Sequence, residues 1–287
     1  MAAWTDGYWW SNDGLRLHYR DYAGREDRPP IICLPGLTRN ARDFAEVADR
    51  LAGEWRLLCV ELRGRGESAH AKDPLTYVPL TYVQDIIALV TELKLARVVL
   101  FGTSLGGILT MLLGATRAVP IAGALINDIG PEIDPAGLQR IRTYVGKQVS
   151  YPTWIHAARG IAAIQGGAFP DYKLEDWIAM AKRIFRLTPA GRIVWDYDMN
   201  IAEPFRLPGG EGGVDLWPAF DGLAEVPLTL VRGELSDILT AETARRMADR
   251  HPGLDLVTVP RIGHAPMLTE EQCVAGIDRL LARVAIS

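Results

Sequence analysis

The sequence predicts an α/β fold in which a mostly parallel β-sheet is flanked by helices and carries an inserted helical segment. Three observations support this fold class. Short apolar runs rich in β-branched residues alternate with longer stretches whose apolar residues recur at helical spacing. A Gly-x-Ser-x-Gly pattern joins one of the most apolar runs to a helix-compatible stretch. The alternation stops near residue 131 and resumes after residue 218, which indicates an insertion.

The predicted strands recur along the whole chain outside the insertion. The run at 30–34 is continuously apolar, as expected for a strand that is covered on both faces, and 121–130 is predicted to be another buried strand. In such a sheet, ligands bind beyond the carboxyl ends of the strands. The predicted strands are residues 7–10, 15–22, 30–34, 55–62, 98–101, 121–130, 227–232 and 254–259, and the predicted helices include 41–51, 82–95, 241–250 and 269–284.

Residues 98–109 hold the pattern around which the rest of the fold is arranged. An apolar strand runs into Gly102-Thr103-Ser104-Leu105-Gly106 and an apolar helix begins at once, so Ser104 stands where a strand turns sharply into a helix. This context is typical of a nucleophile elbow, whose flanking glycines leave room for a strained turn. Gly107 would let the new helix pack closely on the strand. The structural alternative is a glycine-rich turn with an incidental serine.

Composition places the chain among ordinary globular proteins. It has 287 residues, 48% of them hydrophobic, and a formal charge of −4, which gives no basic surface for nucleic acid or an anionic membrane. The uncharged stretch 98–116 is long enough to span a bilayer, but its glycines favour a buried strand followed by a buried helix. No secretory signal is visible at the start. Cys33, Cys59 and Cys273 are widely spaced, which indicates core positions in a reducing compartment and predicts a cytoplasmic protein.

A serine hydroxyl needs a base to become a good nucleophile, and His264 is the predicted base. It follows the last predicted strand and therefore lies in a loop at the carboxyl edge of the sheet. The other four histidines fit structural positions better. They are His18 on a strand face, His70 in a polar loop, His156 in the insertion and His251 at a helix end.

The base also needs a carboxylate that fixes its tautomer. Asp237 is the first choice because it leaves a predicted strand at the same edge and has a short side chain. Two alternatives remain open. Glu234 lies in the same loop, and Asp128 follows an earlier strand.

Two loops near the predicted site have distinct expected roles. The backbone N–H of Leu37 follows a central strand, where it could donate to an oxyanion together with the N–H of Leu105. The glycine-rich turn at 63–68 is expected to be structural, since a buried arginine such as Arg63 or Arg65 can tie loop carbonyls together.

Residues 131–218 are predicted to form a helical cap, inserted into a core of residues 1–130 and 219–287. The segment ends in a glycine-rich exit at 209–213. Its aromatic residues could line an apolar substrate pocket, although aromatic residues at helical spacing are more often core. The candidates are Trp154, Trp177 and Trp195.

In its motifs the chain resembles the α/β-hydrolase fold over about two thirds of its length. The resemblance implies an eight-stranded sheet with a helical cap over a Ser-His-Asp site. Two features depart from the common pattern: Pro35-Gly36 stands where many relatives have His-Gly, and Asp237 falls four residues after Gly233 rather than three, which keeps Glu234 open. The motifs that carry the resemblance are Gly-Thr-Ser-Leu-Gly at 102–106, the segment 62–68, the order Ser104, Asp237, His264, and Gly263-His264-Ala265-Pro266.

These residues predict a serine hydrolase that cleaves a small to medium carboxylic ester or lactone through an acyl-enzyme on Ser104. No metal or organic cofactor is implied, and a small molecule is the expected partner rather than nucleic acid or a membrane. A carbon–carbon bond hydrolase of ring-cleavage products is one alternative, although relatives of that kind usually carry an aromatic residue where this chain has Ala265. A low-turnover ligand-binding protein of the same fold is another. The oligomeric state stays open.

Overall fold

A computed structural model describes residues 2–206 and 215–286 of the chain. The glycine-rich exit predicted at 209–213 lies outside these residues. The strands are β1 (Thr5–Trp10), β2 (Arg16–Tyr22), β3 (Ile31–Leu34), β4 (Leu57–Glu61), β5 (Val98–Thr103), β6 (Ile121–Asn127), β7 (Phe185–Leu187), β8 (Ile193–Trp195), β9 (Leu228–Gly233) and β10 (Leu254–Val259). The α-helices are α1 (Ala45–Leu51), α2 (Pro79–Glu92), α3 (Leu105–Thr116), α4 (Pro135–Tyr144), α5 (Trp154–Gln165), α6 (Leu174–Ile184), α7 (Trp217–Asp221), α8 (Ala241–Arg250) and α9 (Glu271–Ile286).

One sheet of eight strands forms the centre of the fold, in the order β1-β2-β4-β3-β5-β6-β9-β10. In this sheet the neighbours β4-β3-β5-β6-β9-β10 pair in parallel, while β1 pairs with β2 and β2 pairs with β4 in antiparallel. The predicted fold class is therefore confirmed. The carboxyl ends of the parallel strands meet at one edge of the sheet.

Helices cover both faces of this sheet, as the continuously apolar strands predict. Successive side chains of a strand point to opposite faces. In β3, Ile32 and Leu34 pack in a cluster with α2 and α3, whereas Ile31 and Cys33 pack in a second cluster with α1 and α9. The cysteines are buried and free, which agrees with the core positions predicted for them. The central strands thus hold the site loops on a rigid, fully packed layer.

Between β6 and α7, the described residues of the inserted segment form three α-helices, a small sheet and the 3₁₀ helix Met199–Arg206. Helices α4, α5 and α6 are followed by the antiparallel pair β7 and β8. Apolar side chains of α5 and α6 join the same cluster as α2 and α3, so the segment packs on one side of the sheet. The division at residues 131 and 218 stays a prediction.

Within residues 2–206 and 215–286, no helix combines the length and the apolar character needed to cross a bilayer. The uncharged stretch 98–116 is divided between β5 and α3, and most of its side chains are buried in the core. The predicted buried strand followed by a buried helix is therefore confirmed for this stretch.

Candidate active site

Ser104 occupies a tight turn between β5 and α3, with φ 53° and ψ −114°. Positive φ is unfavourable for a residue with a side chain, so the surrounding structure must hold this turn. A Cβ added at Gly102 would overlap the carbonyl oxygen of Gly106, and one at Gly106 would overlap the carbonyl oxygen of Leu34. A Cβ at Gly107 would overlap the Ile129 side chain. The roles predicted for these three glycines are thereby confirmed.

Three side chains form one hydrogen-bonded chain at the carboxyl edge of the sheet. The Nε2 atom of His264 lies 2.9 Å from Ser104 Oγ, and its Nδ1 atom lies 2.8 Å from Asp128 Oδ2. Ser104 directly follows β5, Asp128 directly follows β6, and His264 comes five residues after β10. Because a carboxylate only accepts hydrogen bonds, Nδ1 carries the proton and Nε2 is free to accept from Ser104.

Asp128 is held in place by more than His264. It is fully buried and has φ 57°, and the Gly233 N–H donates to its Oδ1 at 2.8 Å. The Ser236 hydroxyl donates to Oδ2 at 2.7 Å, the oxygen that also accepts from His264. Sequence reasoning missed Ser236. The available signal was its position three residues after Gly233, at the site edge.

Asp237 makes no hydrogen bond with His264, whose Nδ1 is paired with Asp128, so the first-choice prediction for its carboxylate partner is wrong in this structure. Its two carboxylate oxygens accept from Arg140 Nε and Nη2 at 2.5 and 2.8 Å. Although burial opposes ionisation, these hydrogen bonds and the Arg140 charge hold the pKa of Asp237 below its usual value. Glu234, the second alternative, accepts the Arg261 backbone N–H at 2.7 Å.

The loop after β3 is closed by a backbone turn. The Arg39 N–H donates to the Gly36 carbonyl at 3.1 Å, with Leu37 and Thr38 between them. The fully buried Arg65 donates through Nε to the Leu37 carbonyl at 2.9 Å. Neither the Leu37 N–H nor the Leu105 N–H has a hydrogen-bond partner among the described residues.

The structural role predicted for the turn at 63–68 is confirmed by the partners of its arginines. Arg65 Nη1 donates to the Arg63 carbonyl and to the Tyr82 hydroxyl, in addition to its contact with Leu37. The Arg63 guanidinium is buried and donates to the carboxylates of Asp85 and Asp13. The turn at 63–68 therefore stabilises the loop that contains Leu37, through the hydrogen bond from Arg65 to the Leu37 carbonyl.

A cavity of about 90 Å³ opens beside Ser104 and His264. Trp195 lines it, as predicted, but Trp154 and Trp177 do not. Trp177 is buried with its ring against Phe169 and Tyr172, so the core alternative is correct for this residue. Trp154 is half-buried and packs on the main apolar cluster. The apolar side chains around the cavity include Ile141, Phe169, Met180, Ile184, Trp195 and Met267.

Two oppositely charged side chains also line this largely apolar cavity. Arg39 Nε and Nη2 donate to the two oxygens of Asp43 at 2.6 and 2.7 Å. Burial lowers the pKa of Arg39, but the Asp43 charge and hydrogen bonds outweigh it and keep the pKa raised. The cavity therefore contains a fixed guanidinium that sequence reasoning did not single out.

Comparison with known proteins agrees with this arrangement. A family model described as the alpha/beta hydrolase family matches residues 31–275. The chain is 33% identical over 269 residues to the 3-hydroxybutyrate-oligomer hydrolase of Cupriavidus necator, across 91% of this chain and 90% of that protein.

Solved structures show the same fold. The crystal structure of an alpha/beta hydrolase from Novosphingobium aromaticivorans superposes with a TM-score of 0.94 at 56% identity, covering 99% of each chain. The crystal structure of E-2-(acetamidomethylene)succinate hydrolase shares the fold with a TM-score of 0.81 at 22% identity, covering 98% of this chain and 100% of that one. On these matches, the chain belongs to the alpha/beta hydrolase family.

Proposed function

We propose that the protein is a serine hydrolase that cleaves carboxylic ester bonds through an acyl-enzyme on Ser104. The observation that carries this proposal is the hydrogen-bonded chain from Ser104 through His264 to Asp128. A serine alone is a poor nucleophile, and an imidazole within hydrogen-bond reach can take its proton as it attacks.

In the proposed mechanism, His264 Nε2 removes the proton from Ser104 Oγ while Oγ forms a bond to the ester carbonyl carbon. The imidazolium then gives this proton to the leaving alcohol as the ester bond breaks. A water molecule releases the acyl group by the same steps, with His264 again as base. Asp128 keeps the Nδ1 proton in place and stabilises the imidazolium. We therefore assign the role of carboxylate partner of His264 to Asp128 rather than Asp237.

The developing oxyanion would be bound by the N–H groups of Leu37 and Leu105. Both lack partners among the described residues, and Leu105 is the first residue of α3, where N–H groups have no partner within the helix. The N–H groups at this end also carry the positive end of the helix dipole. Such donors stabilise the transition state more than the substrate.

The substrate we infer is a small to medium carboxylic ester or lactone, and short linear esters of a hydroxy acid are the favoured class. The relative from Cupriavidus necator is named for 3-hydroxybutyrate oligomers, whose units are joined by ester bonds. The apolar walls of the cavity suit aliphatic acyl chains. Several of these apolar walls come from α4, α6 and β8, which supports the role of residues 131–218 as a cap.

The test is hydrolysis of the 3-hydroxybutyrate dimer, the trimer and p-nitrophenyl esters of increasing acyl length. We expect turnover by the wild type and a loss in kcat of about 10⁴-fold or more in Ser104→Ala, with the fold intact by circular dichroism. Ser150→Ala, at an exposed serine, is the matched control and should keep its activity. Near-normal turnover by Ser104→Ala would contradict the proposal. No turnover by folded wild type would favour carbon–carbon bond hydrolysis or ligand binding.

A further inference from the structure

The charged pair in the cavity is not needed for acyl transfer, and it lies close to the nucleophile. Arg39 ends the turn that carries the Leu37 N–H. A Cβ placed on Gly36 would lie 3.2 Å from Arg39 Cγ and 3.7 Å from Ser104 Cβ. The base of the Arg39 side chain and Ser104 therefore flank the same glycine, and Arg39 lines the cavity into which Ser104 opens.

We propose that Arg39 binds a free carboxylate of the substrate, so that the enzyme selects esters that carry a negative charge. This inference rests on the proposed ester hydrolysis and names a class of substrate for it. The 3-hydroxybutyrate oligomers fit this class, since a linear oligomer of a hydroxy acid has a carboxylate at one end.

The geometry of the ion pair leaves part of the guanidinium available. Asp43 occupies Nε and one N–H of Nη2, which fixes the plane of the group. Arg39 Nη1 makes no hydrogen bond to any residue in the described parts of the chain, and the Arg39 side chain as a whole is 16% exposed. A guanidinium has five N–H donors in a fixed fork, so the two N–H groups of Nη1 can still donate to a carboxylate.

The surroundings make this site selective for an anion with an apolar body. A charged group in a largely apolar cavity interacts strongly with an opposite charge because little water screens it. The Tyr144 side chain also lines the cavity near Arg39 and provides a further hydroxyl. Because Asp43 offsets the charge of Arg39, a neutral ester can still enter the cavity. It cannot form an ion pair with Arg39, however, as an ester with a free carboxylate can.

The competing explanation is that Arg39 and Asp43 only brace the loop. Asp43 lies in the 3₁₀ helix Ala41–Phe44, and the pair joins this helix to the turn before it. A bracing role predicts that substitution lowers activity on all esters equally and lowers the melting temperature. A carboxylate-binding role predicts a change in the preference between a charged and a neutral ester.

The test compares the 3-hydroxybutyrate dimer with the same dimer capped as an N-methyl amide at its carboxylate, a neutral cap that is not an ester. Chromatography follows cleavage of the internal ester bond, which both substrates share. We expect the wild type to have a higher kcat/KM for the uncapped dimer. In Arg39→Gln the ratio of the two kcat/KM values should fall by about tenfold to a hundredfold, mainly through KM for the uncapped dimer.

A double variant removes an ambiguity in this experiment. Arg39→Gln alone leaves the Asp43 carboxylate unpaired, and its charge could itself repel an anionic substrate. In Arg39→Gln/Asp43→Asn both charges are gone, and we expect the ratio to stay low. Recovery of the wild-type ratio in the double variant, or an unchanged ratio in both variants, would overturn the proposal. Arg250→Gln removes an arginine that forms a similar two-point pair with Asp221 on the surface, and it should keep the wild-type ratio.

A binding measurement separates failure of this inference from failure of the proposed function. If folded wild type cleaves neither dimer and none of the p-nitrophenyl esters, the proposed ester hydrolysis is wrong, and calorimetry then measures binding of the uncapped dimer. Binding that weakens tenfold or more in Arg39→Gln and in the double variant would still support the carboxylate site. No binding by wild type, or equal binding by wild type and variants, would overturn it.

Discussion

The Asp128 carboxylate accepts a 2.8 Å hydrogen bond from His264 Nδ1, although the two residues are 136 positions apart in the chain. Asp128 comes from the end of β6, and His264 reaches it from the loop after β10, across the end of β9. The Asn127 side chain donates to the Pro266 carbonyl at 2.8 Å and so ties the two loops together. The orientation of the proposed base is therefore set by the strand before Asp128.

The two aspartates near His264 should differ sharply in their effect on catalysis. Asp128→Asn keeps the size of the side chain but favours the wrong imidazole tautomer, so kcat should fall by about 10³- to 10⁴-fold. Asp237→Asn removes the ion pair with Arg140 and a charge near His264, but it leaves the hydrogen bond between Asp128 and His264 in place, so kcat should stay within a few-fold of wild type. Steady-state kinetics on a p-nitrophenyl ester measures both variants. A larger loss of kcat in Asp237→Asn than in Asp128→Asn would show that Asp237 is the carboxylate that supports His264 in catalysis.

Ser236→Ala should weaken both the fold and the site. The hydroxyl donates to Asp128 and accepts from the backbone N–H groups of Ile238 and Leu239. Losing a hydrogen bond to a buried carboxylate costs about 1.5–3 kcal/mol, which urea unfolding would detect. The rotation of Asp128 is also less restricted, so we expect a lower kcat with KM little changed. Ser236→Thr keeps the hydroxyl and should recover most of both losses; equal loss in Thr and Ala would argue against this role.

The close approach at the elbow predicts a strong effect of one added methyl group. Gly106→Ala would press a Cβ against the Leu34 carbonyl and force α3 away from β3. Overpacking of this kind costs about 1–3 kcal/mol, and the shift would also move the Leu105 N–H and lower kcat. Gly167→Ala is the control, because no heavy atom lies within 4 Å of the added Cβ. Thermal unfolding and kcat that are equal in the two variants would contradict the packing argument.

His18 should make stability depend on pH. It is buried with Nδ1 against Glu61 and Nε2 against Asp6, and although burial opposes its charge, the two carboxylates raise its pKa. A raised pKa means that the stabilisation is fully present below the unfolded value of about 6.5 and is lost as pH rises through the folded value.

Melting temperatures measured from pH 5 to pH 9 would test this dependence. The wild type should lose stability across the upper part of this range relative to His18→Gln, which lacks the titrating group. His156→Gln, at an exposed histidine, should follow the wild type. A constant difference between wild type and His18→Gln over the whole range would contradict the prediction.

The fold could be predicted from the sequence because its signals are local. Alternating apolar strands and helices identify a parallel sheet that is covered on both faces. The glycines on either side of Ser104 are required because they lie against backbone carbonyls, one of them in the same turn and the other in the neighbouring strand β3. The order in which the strands lie side by side in the sheet cannot be predicted from such local patterns. The boundaries were less accurate: β6 ends at Asn127 rather than 130, and residues 41–44 form a 3₁₀ helix before α1.

The identity of the carboxylate could not be decided from local pattern. Asp128 and Asp237 both follow strands at the edge of the sheet where His264 lies. Which of them pairs with His264 depends on whether another residue already forms hydrogen bonds with its carboxylate. Arg140 comes from α4 in the inserted segment, and a Cβ on Gly137 of the same helix would overlap the Asp237 carbonyl, so α4 packs directly on that loop. This long-range contact leaves Asp128 for His264. The proposed carboxylate site at Arg39 could not be predicted either, because part of its cavity wall comes from helices α4 and α6, which are distant from Arg39 in the sequence.

The most direct test of the central claim is covalent labelling with a fluorophosphonate, followed by intact-mass and peptide mass spectrometry. The account predicts one adduct on Ser104 in the wild type, slower labelling of the same residue in His264→Ala, and no adduct in Ser104→Ala. Asp237→Asn should be labelled at nearly the wild-type rate, and Asp128→Asn much more slowly. An adduct on another residue, or an unlabelled Ser104 in a protein that still hydrolyses esters, would contradict it.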